Sequence, residues 1–414
     1  MKQIYITTFF LLTFFFCWSQ ILVIKPLAVL TGHNDEVVCV AMSPRGKYIA
    51  TGSWDKKINI YSTDSFKLFA TLEGHSTVVN SLAFSRDRKF LISTSNDHFG
   101  IVWSTDSGKL LYTLAGHKDN VNCGIIDFSN KTALTGSRDE TVKLWDLTKG
   151  GVLLKSFNIG ANVNKLELTN DGRTILVASD KPDLLFYDMT GKLIKTFVGH
   201  KGAILAIAVS QNNKYIATAS VDKTVILWDP VSGKPLKTFT EFGNRVTGVA
   251  FSRDGKYLAT SCFDGKAKVW DVESGKVIYS YEGNGIYISD IAFSFDAHLV
   301  VTAPQIRGDN NNGARVFKAI DIINTDTVRR RPGQAPGVNT QRNPNAANRQ
   351  NTQNKKRNDD DDEDWTAWKE PGTRQDSTGA TMVKPRRVFN HEDSVLMQKR
   401  KLHMDSVRAG LIRY

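Results

Sequence analysis

Disulfide cross-linking is the first thing this chain does without. It has four cysteines in 414 residues. Cys17 falls in an N-terminal apolar stretch, and Cys39, Cys123 and Cys262 are an odd remainder in β-branched runs, so they read as small buried apolar side chains. Long apolar runs are nearly absent as well: only residues 4–24 could reach across a bilayer. No motif of a nucleic-acid-binding module is present. An acidic balance is missing too, because Lys and Arg number 54 against 42 Asp and Glu, a formal charge of +12. Such an excess attracts nucleic acid, anionic lipid or acidic proteins without further specificity. It is spread along the chain, with about +6 in residues 20–318 and about +5 beyond them.

What the chain has instead is a repeat. An aromatic followed by Ser or Asp recurs about every 42 residues, at Tyr61-Ser62, Trp103-Ser104, Trp145-Asp146, Tyr187-Asp188, Trp228-Asp229, Trp270-Asp271 and, frayed, Phe317-Lys318. A unit of this size cannot bury its apolar faces alone and must stack on its neighbours. Four units open on Gly-His, at Gly32-His33, Gly74-His75, Gly116-His117 and Gly199-His200, while units four and six have none. A β-branched strand pattern follows, then a turn such as Pro44-Arg45-Gly46-Lys47, where Gly supplies positive φ. A second strand ends in Ser-x-Asp, a third closes on the aromatic, and a Ser-Gly-Lys turn such as Ser107-Gly108-Lys109 leads to a fourth.

These marks in fixed register over residues 25–318 resemble the WD-repeat (WD40) β-propeller family. The resemblance implies an all-β, seven-bladed propeller. Lys25-Pro26-Leu27-Ala28-Val29-Leu30 aligns with the fourth strand at Lys234-Pro235-Leu236-Lys237-Thr238-Phe239, so the N-terminal strand is expected to complete the last blade and leave no open seam. The recurring His, Ser and Asp could be a nucleophile, base and orienting acid, but the sets come four times: His33/Ser53/Asp55, His75/Ser95/Asp97/Trp103, His117/Ser137/Asp139/Trp145 and His200/Ser220/Asp222/Trp228. An active site is assembled once. The resemblance implies hydrogen-bonded structural tetrads and a non-catalytic protein, with no cofactor. Blade four carries Lys181 at the Asp position, blade six has Cys262 for Ser, and blade seven replaces its turn with residues 304–313. The run Asp309-Asn310-Asn311-Asn312-Gly313 in that loop fails the spacing of a calcium loop, so no metal is expected.

The two ends differ from the repeat. Residues 1–19 have a basic start, an apolar Phe-rich stretch and small residues at Cys17 and Ser19, which fits a secretory signal peptide cleaved before Gln20; an uncleaved anchor is the alternative. Export from a Gram-negative bacterium to the periplasm or envelope is the expectation. Residues 319–390 are polar and charge-blocked, including the acidic run 359–364, and are expected to be disordered. Trp365 and Trp368 are candidate docking anchors there, and residues 391–414 carry the pattern of a short amphipathic helix with a basic face.

Propellers of the family that this chain resembles mostly act as interaction platforms. The resemblance implies that the position before each blade Asp projects onto the face made by the Gly-His loops, and here it holds Trp54, Asn96, Arg138, Val221 and Phe263. Aromatics and arginine dominate interface energetics. The expected partner is a protein, with an acidic protein surface or an envelope polyanion open. No nucleic acid is expected, and peripheral membrane association stays open. The alternatives are an envelope-polysaccharide binder and an exported propeller-fold enzyme working in the central channel.

Overall fold

A computed structural model describes residues 25–282, 287–305 and 313–319. Residues 1–24, 283–286 and 306–312, the segment 320–390 with Trp365 and Trp368, and the segment 391–414 lie outside the described residues. Blade one consists of Val37–Met42, Tyr48–Ser53, Lys57–Ser62 and Leu68–Glu73, paired antiparallel in chain order. Its second strand, YIATGS, is buried at every position and its third at four central ones. The fourth strand is the sheet edge and is mostly exposed. Five further blades follow over 79–115, 121–158, 163–197, 204–239 and 246–282.

Blade seven closes the ring as the sequence predicts. Tyr287–Phe293, Leu299–Gln305 and Ala314–Lys318 pair in order, and Ala28–Leu30 adds the fourth strand in the register Ala28↔Val316 and Leu30↔Ala314. The clasp starts at Ala28 and not at Lys25, since Pro26 has no N–H to donate. The Leu27 N–H still reaches the Val316 carbonyl at 2.7 Å. Pro304, expected to begin an irregular turn, instead sits in the second strand opposite Ile288.

The hydrophobic material lies between blades. One cluster joins Cys39, Ile58 and Leu72 of blade one to Val79, Leu91 and Trp103 of blade two; another joins Leu30, Val301 and Val316 of blade seven to Val37, Ile49 and Tyr61 of blade one. Trp103, Trp145, Trp228 and Trp270 are fully buried. Among the described residues no helix is long and apolar enough to cross a membrane.

All seven blades share one irregularity. The pairing of the first strand with the second slips near its start, for instance between Val37 and Cys39 and between Ile288 and Asp290. A bulge frees one residue from the ladder and re-aims its side chain. The freed residues are Val38, Asn80, Asn122, Asn164, Leu205, Thr247 and Ser289, which all line the central channel. Where they are polar they reach the next blade: Asn80 Nδ2 donates to the Val121 carbonyl at 2.9 Å, Asn122 to Val163 at 2.8 Å and Asn164 to Ile204 at 3.0 Å. The Thr247 hydroxyl donates to Ile288 and that of Ser289 to Val38, both at 2.6 Å. The closing seam between blades seven and one thus has its own bolt.

Candidate functional site

Three arrangements could carry function: the His-Asp sets, the face above them, and the channel. In blade three His117 Nδ1 lies 2.9 Å from Asp139 Oδ2 and Nε2 2.8 Å from Thr135 Oγ1, while Trp145 Nε1 donates to the same Thr135 hydroxyl at 2.8 Å. One proton arrangement satisfies every atom: Trp donates to Thr, Thr to a neutral imidazole, and the imidazole to the carboxylate. Blades two and five repeat it through Ser93 and Thr218. In blade one His33 bridges Asp55 and Thr51, but Tyr61 stands at the Trp position and its hydroxyl donates to the Thr31 carbonyl.

The shared hydroxyl therefore sits two residues before the one expected from Ser-x-Asp. Strand side chains repeat with period two, so both positions share a face, and the earlier one lies at the depth of the imidazole. Ser53, Ser137 and Ser220 instead close the turn. Each accepts the N–H of the blade Asp and donates to a carbonyl of the preceding loop, Asp35, Asp119 or Gly202. Ser95 accepts from Asp97 N–H and bonds the Thr77 hydroxyl. In blade six the Cys262 thiol takes the serine's place, donating to the Asn244 carbonyl at 3.2 Å and accepting from Asp264 N–H.

The shared hydroxyls are fully buried and already engaged on both sides, so none is placed as a nucleophile. Burial alone would raise the Asp139 carboxyl, but Thr141, the Lys118 N–H and His117 hold it down to about 2. Burial keeps His117 and His200 below the usual histidine range. Blade four drops the network as a whole: Ile159, Val177 and Tyr187 are buried in its place, and the Lys181 ammonium donates to the Ile159 carbonyl at 2.6 Å.

The predicted face residues occupy one repeated site. Each follows the second strand and returns an N–H to the loop before the first, as in Trp54 to Glu36, Arg138 to Asn120 and Phe263 to Arg245. Trp54 and Val221 are 40% and 43% exposed, and Arg138 is exposed. Asn96 is half-buried and accepts from Asn80 Nδ2 at 2.7 Å. Phe263 is held in a stack: its ring lies 3.8 Å from that of Tyr287 and the Arg245 guanidinium 3.9 Å from its centre. Sequence reasoning missed Asp180 and Gln305, which hold the same site in blades four and seven, and Arg245 and Tyr287, which frame Phe263. Counting from the strand end in the two degenerate blades would have found the first pair.

The channel carries ionisable groups that sequence reasoning did not single out: Lys165 and Glu167 of blade four and Asp290 of blade seven, around a cavity of about 370 Å³. Their spacing at 165 and 167 is the strand period, the signal that would have revealed the first two. Asp290 accepts the Val40 and Ile291 N–H groups at 3.1 and 2.9 Å. Burial pushes the Glu167 and Asp290 carboxyls up, and it opposes the charge on Lys165, where Asp290 and the other acidic groups around it together outweigh burial and hold its ammonium up. No cluster able to hold a metal occurs among the described residues.

Residues 24–62, 66–104, 108–146, 191–229 and 233–271 match the family model described as "WD domain, G-beta repeat". The blades whose first three strands are unmatched are four and seven, the two that lack both the His and the Trp. A stretch of 34 residues, 8% of this chain, is 53% identical to Ribosomal RNA-processing protein 9 of Saccharomyces cerevisiae, and spans 6% of that protein.

Proposed function

We propose that this chain, which belongs to the WD40-repeat β-propellers, is a non-catalytic protein-interaction scaffold of the cell envelope that holds its partner on the face carrying Trp54 and Arg138. Propellers of this family typically act as interaction scaffolds, and a fold by itself assigns no partner. The observation that carries the reading is the repeated site after each second strand. It presents an exposed Trp, an exposed Arg and the Arg245–Phe263–Tyr287 stack at equivalent places around one rim. These residue types supply most interface hot spots, and the tetrads beneath them fix the loops that bear them.

Affinity capture from an envelope extract tests the site. Trp54→Ala/Arg138→Ala removes two exposed side chains, so melting should stay at the wild-type value while partner recovery falls at least roughly tenfold. Equal recovery would place the partner elsewhere. The envelope location rests on residues 1–19 and has a separate test. Sequencing the protein from its native host should give an N-terminus at Gln20, whereas an intact Met1 in the membrane fraction would mean an anchor.

A further inference from the structure

The two faces of the propeller differ in charge. On the face with the tetrads, the described connections between strands carry seven cationic side chains against twelve carboxylates; on the opposite face they carry sixteen against nine. Several of those nine carboxylates are consumed by their own turns, as where Asp254 accepts the Ser252 hydroxyl and Lys256 N–H, and Asp296 those of Ser294 and His298. Of the cations on this face, only Lys149 and Lys256 lie within 4 Å of a carboxylate among the described residues.

The unpaired cations converge where blades seven, one and two meet. Arg45, Lys47 and Arg88 line a cleft of about 540 Å³ together with His298 and two carboxylates, Asp64 and Asp296, the second of which is held by its own turn. The chain itself leaves the propeller at this cleft, since the Ala319 N–H donates to the His298 carbonyl at 2.7 Å. His298 Nδ1 is buried there with no partner among the described residues.

We propose that this cleft is the docking site of the chain's own acidic run, residues 359–364. The run is five Asp and one Glu, and it begins forty residues beyond Ala319. A segment of that length spans at most ~140 Å when fully extended, enough to fold back on the face from which it departs. Tethering turns docking into an intramolecular event, with an effective concentration on the order of millimolar. The cations are already fixed on hairpins, so the cleft loses little freedom when it is filled.

Carbodiimide coupling, which joins carboxylates to amines in direct contact, tests this in the full chain. The expected product is a monomer cross-linked between residues 359–364 and Lys47. It should vanish at about 1 M salt, where the screening length is ~3 Å, and when the six acids are changed to amides. Coupling only to the sequence neighbours Lys355 and Lys356 would overturn the proposal. A second measurement uses heparin as a soluble polyanion. Arg45→Glu/Lys47→Glu should weaken heparin binding at least roughly fivefold in the amide variant and less than about twofold in the otherwise wild-type chain, because there the run already covers the cleft. Equal losses in both backgrounds would show a cleft open to outside polyanions and sink the self-docking reading.

Discussion

At Gly136 a β-carbon would lie 2.4 Å from Val163 Cγ1 and 2.8 Å from Cys123 Sγ; at Gly52 it would lie 2.6 Å from Cys39 Sγ. These pairs explain the cysteines. A thiol on the first strand faces a glycine on the second, and at the matching place in blade five Ala206 faces Ala219. Burial pushes the Cys123 thiol up to about 12, so it stays protonated and unreactive. Gly136→Ala should cost about 1–3 kcal/mol by overpacking, and Gly136→Ala/Cys123→Ala should recover part of it; chemical denaturation of both variants measures this. Asp139 makes a different residue-scale prediction. Its folded-state carboxyl lies below the ordinary range, so its stabilisation is complete above about pH 4 and is lost as pH falls towards about 2. His117 and His200 are also depressed, so the unfolded chain takes up their protons first as pH drops below ~6.5, and the sign is the same. Thermal melts should therefore decline on acidification in two stages. In Asp139→Ala the lower stage should shrink and the neutral-pH melting temperature should fall, since the variant leaves His117 and the Lys118 N–H unpaired at a cost on the order of 1–3 kcal/mol.

At the scale of the element, the bulge on each first strand decides how blades are joined. Five seams have a polar bulge residue bonded across them. Between blades one and two the Cys39 thiol makes a long contact of 3.6 Å to the Val79 carbonyl. Leu205, the bulge residue of blade five, brings no donor. Leu205→Asn should add the missing bond to blade six and raise stability by about 0.5–1.5 kcal/mol, and Asn122→Ala should lower it by a similar amount. Denaturant midpoints at unchanged slope would confirm both, and a Leu205→Asn midpoint below wild type would show that the channel wall needs its leucine. The repeat, the strands and the clasp were legible because period-two patterning and turn glycines are local. The seam bonds were not, because whether Asn80 faces solvent or the next blade depends on a one-residue slip that no local pattern records. The tetrad hydroxyl was misplaced for a related reason: Ser53 and Thr51 share a strand face, and only depth separates them. Trp54 was placed from the blade Asp that follows it, a mark that blades four and seven lack; counting from the strand end instead reaches Asp180 and Gln305.

At the scale of the whole molecule the ring depends on three residues, Ala28–Leu30. Val29→Pro places a ring without an N–H in that strand, next to Leu30, which is fully buried. The expected result is a lower melting temperature, with faster proteolysis at the seam of blades seven and one than at any other. An unchanged cleavage pattern would mean that the Ser289 bond and the Asp290 contact to Val40 hold the seam without the clasp. The paired residues stand roughly 290 positions apart, and closing a loop of that size costs on the order of 5 kcal/mol beyond a constant. Synthesis adds an order in time. The first strand made must wait, unpaired, for nearly the last described one to emerge, so blades one to six can form on the ribosome or behind a translocating pore while the circle remains open. A nascent chain stalled before residue 314 would be a horseshoe with two bare sheet edges, and every folding helper that binds exposed strands would meet it at that stage and not after.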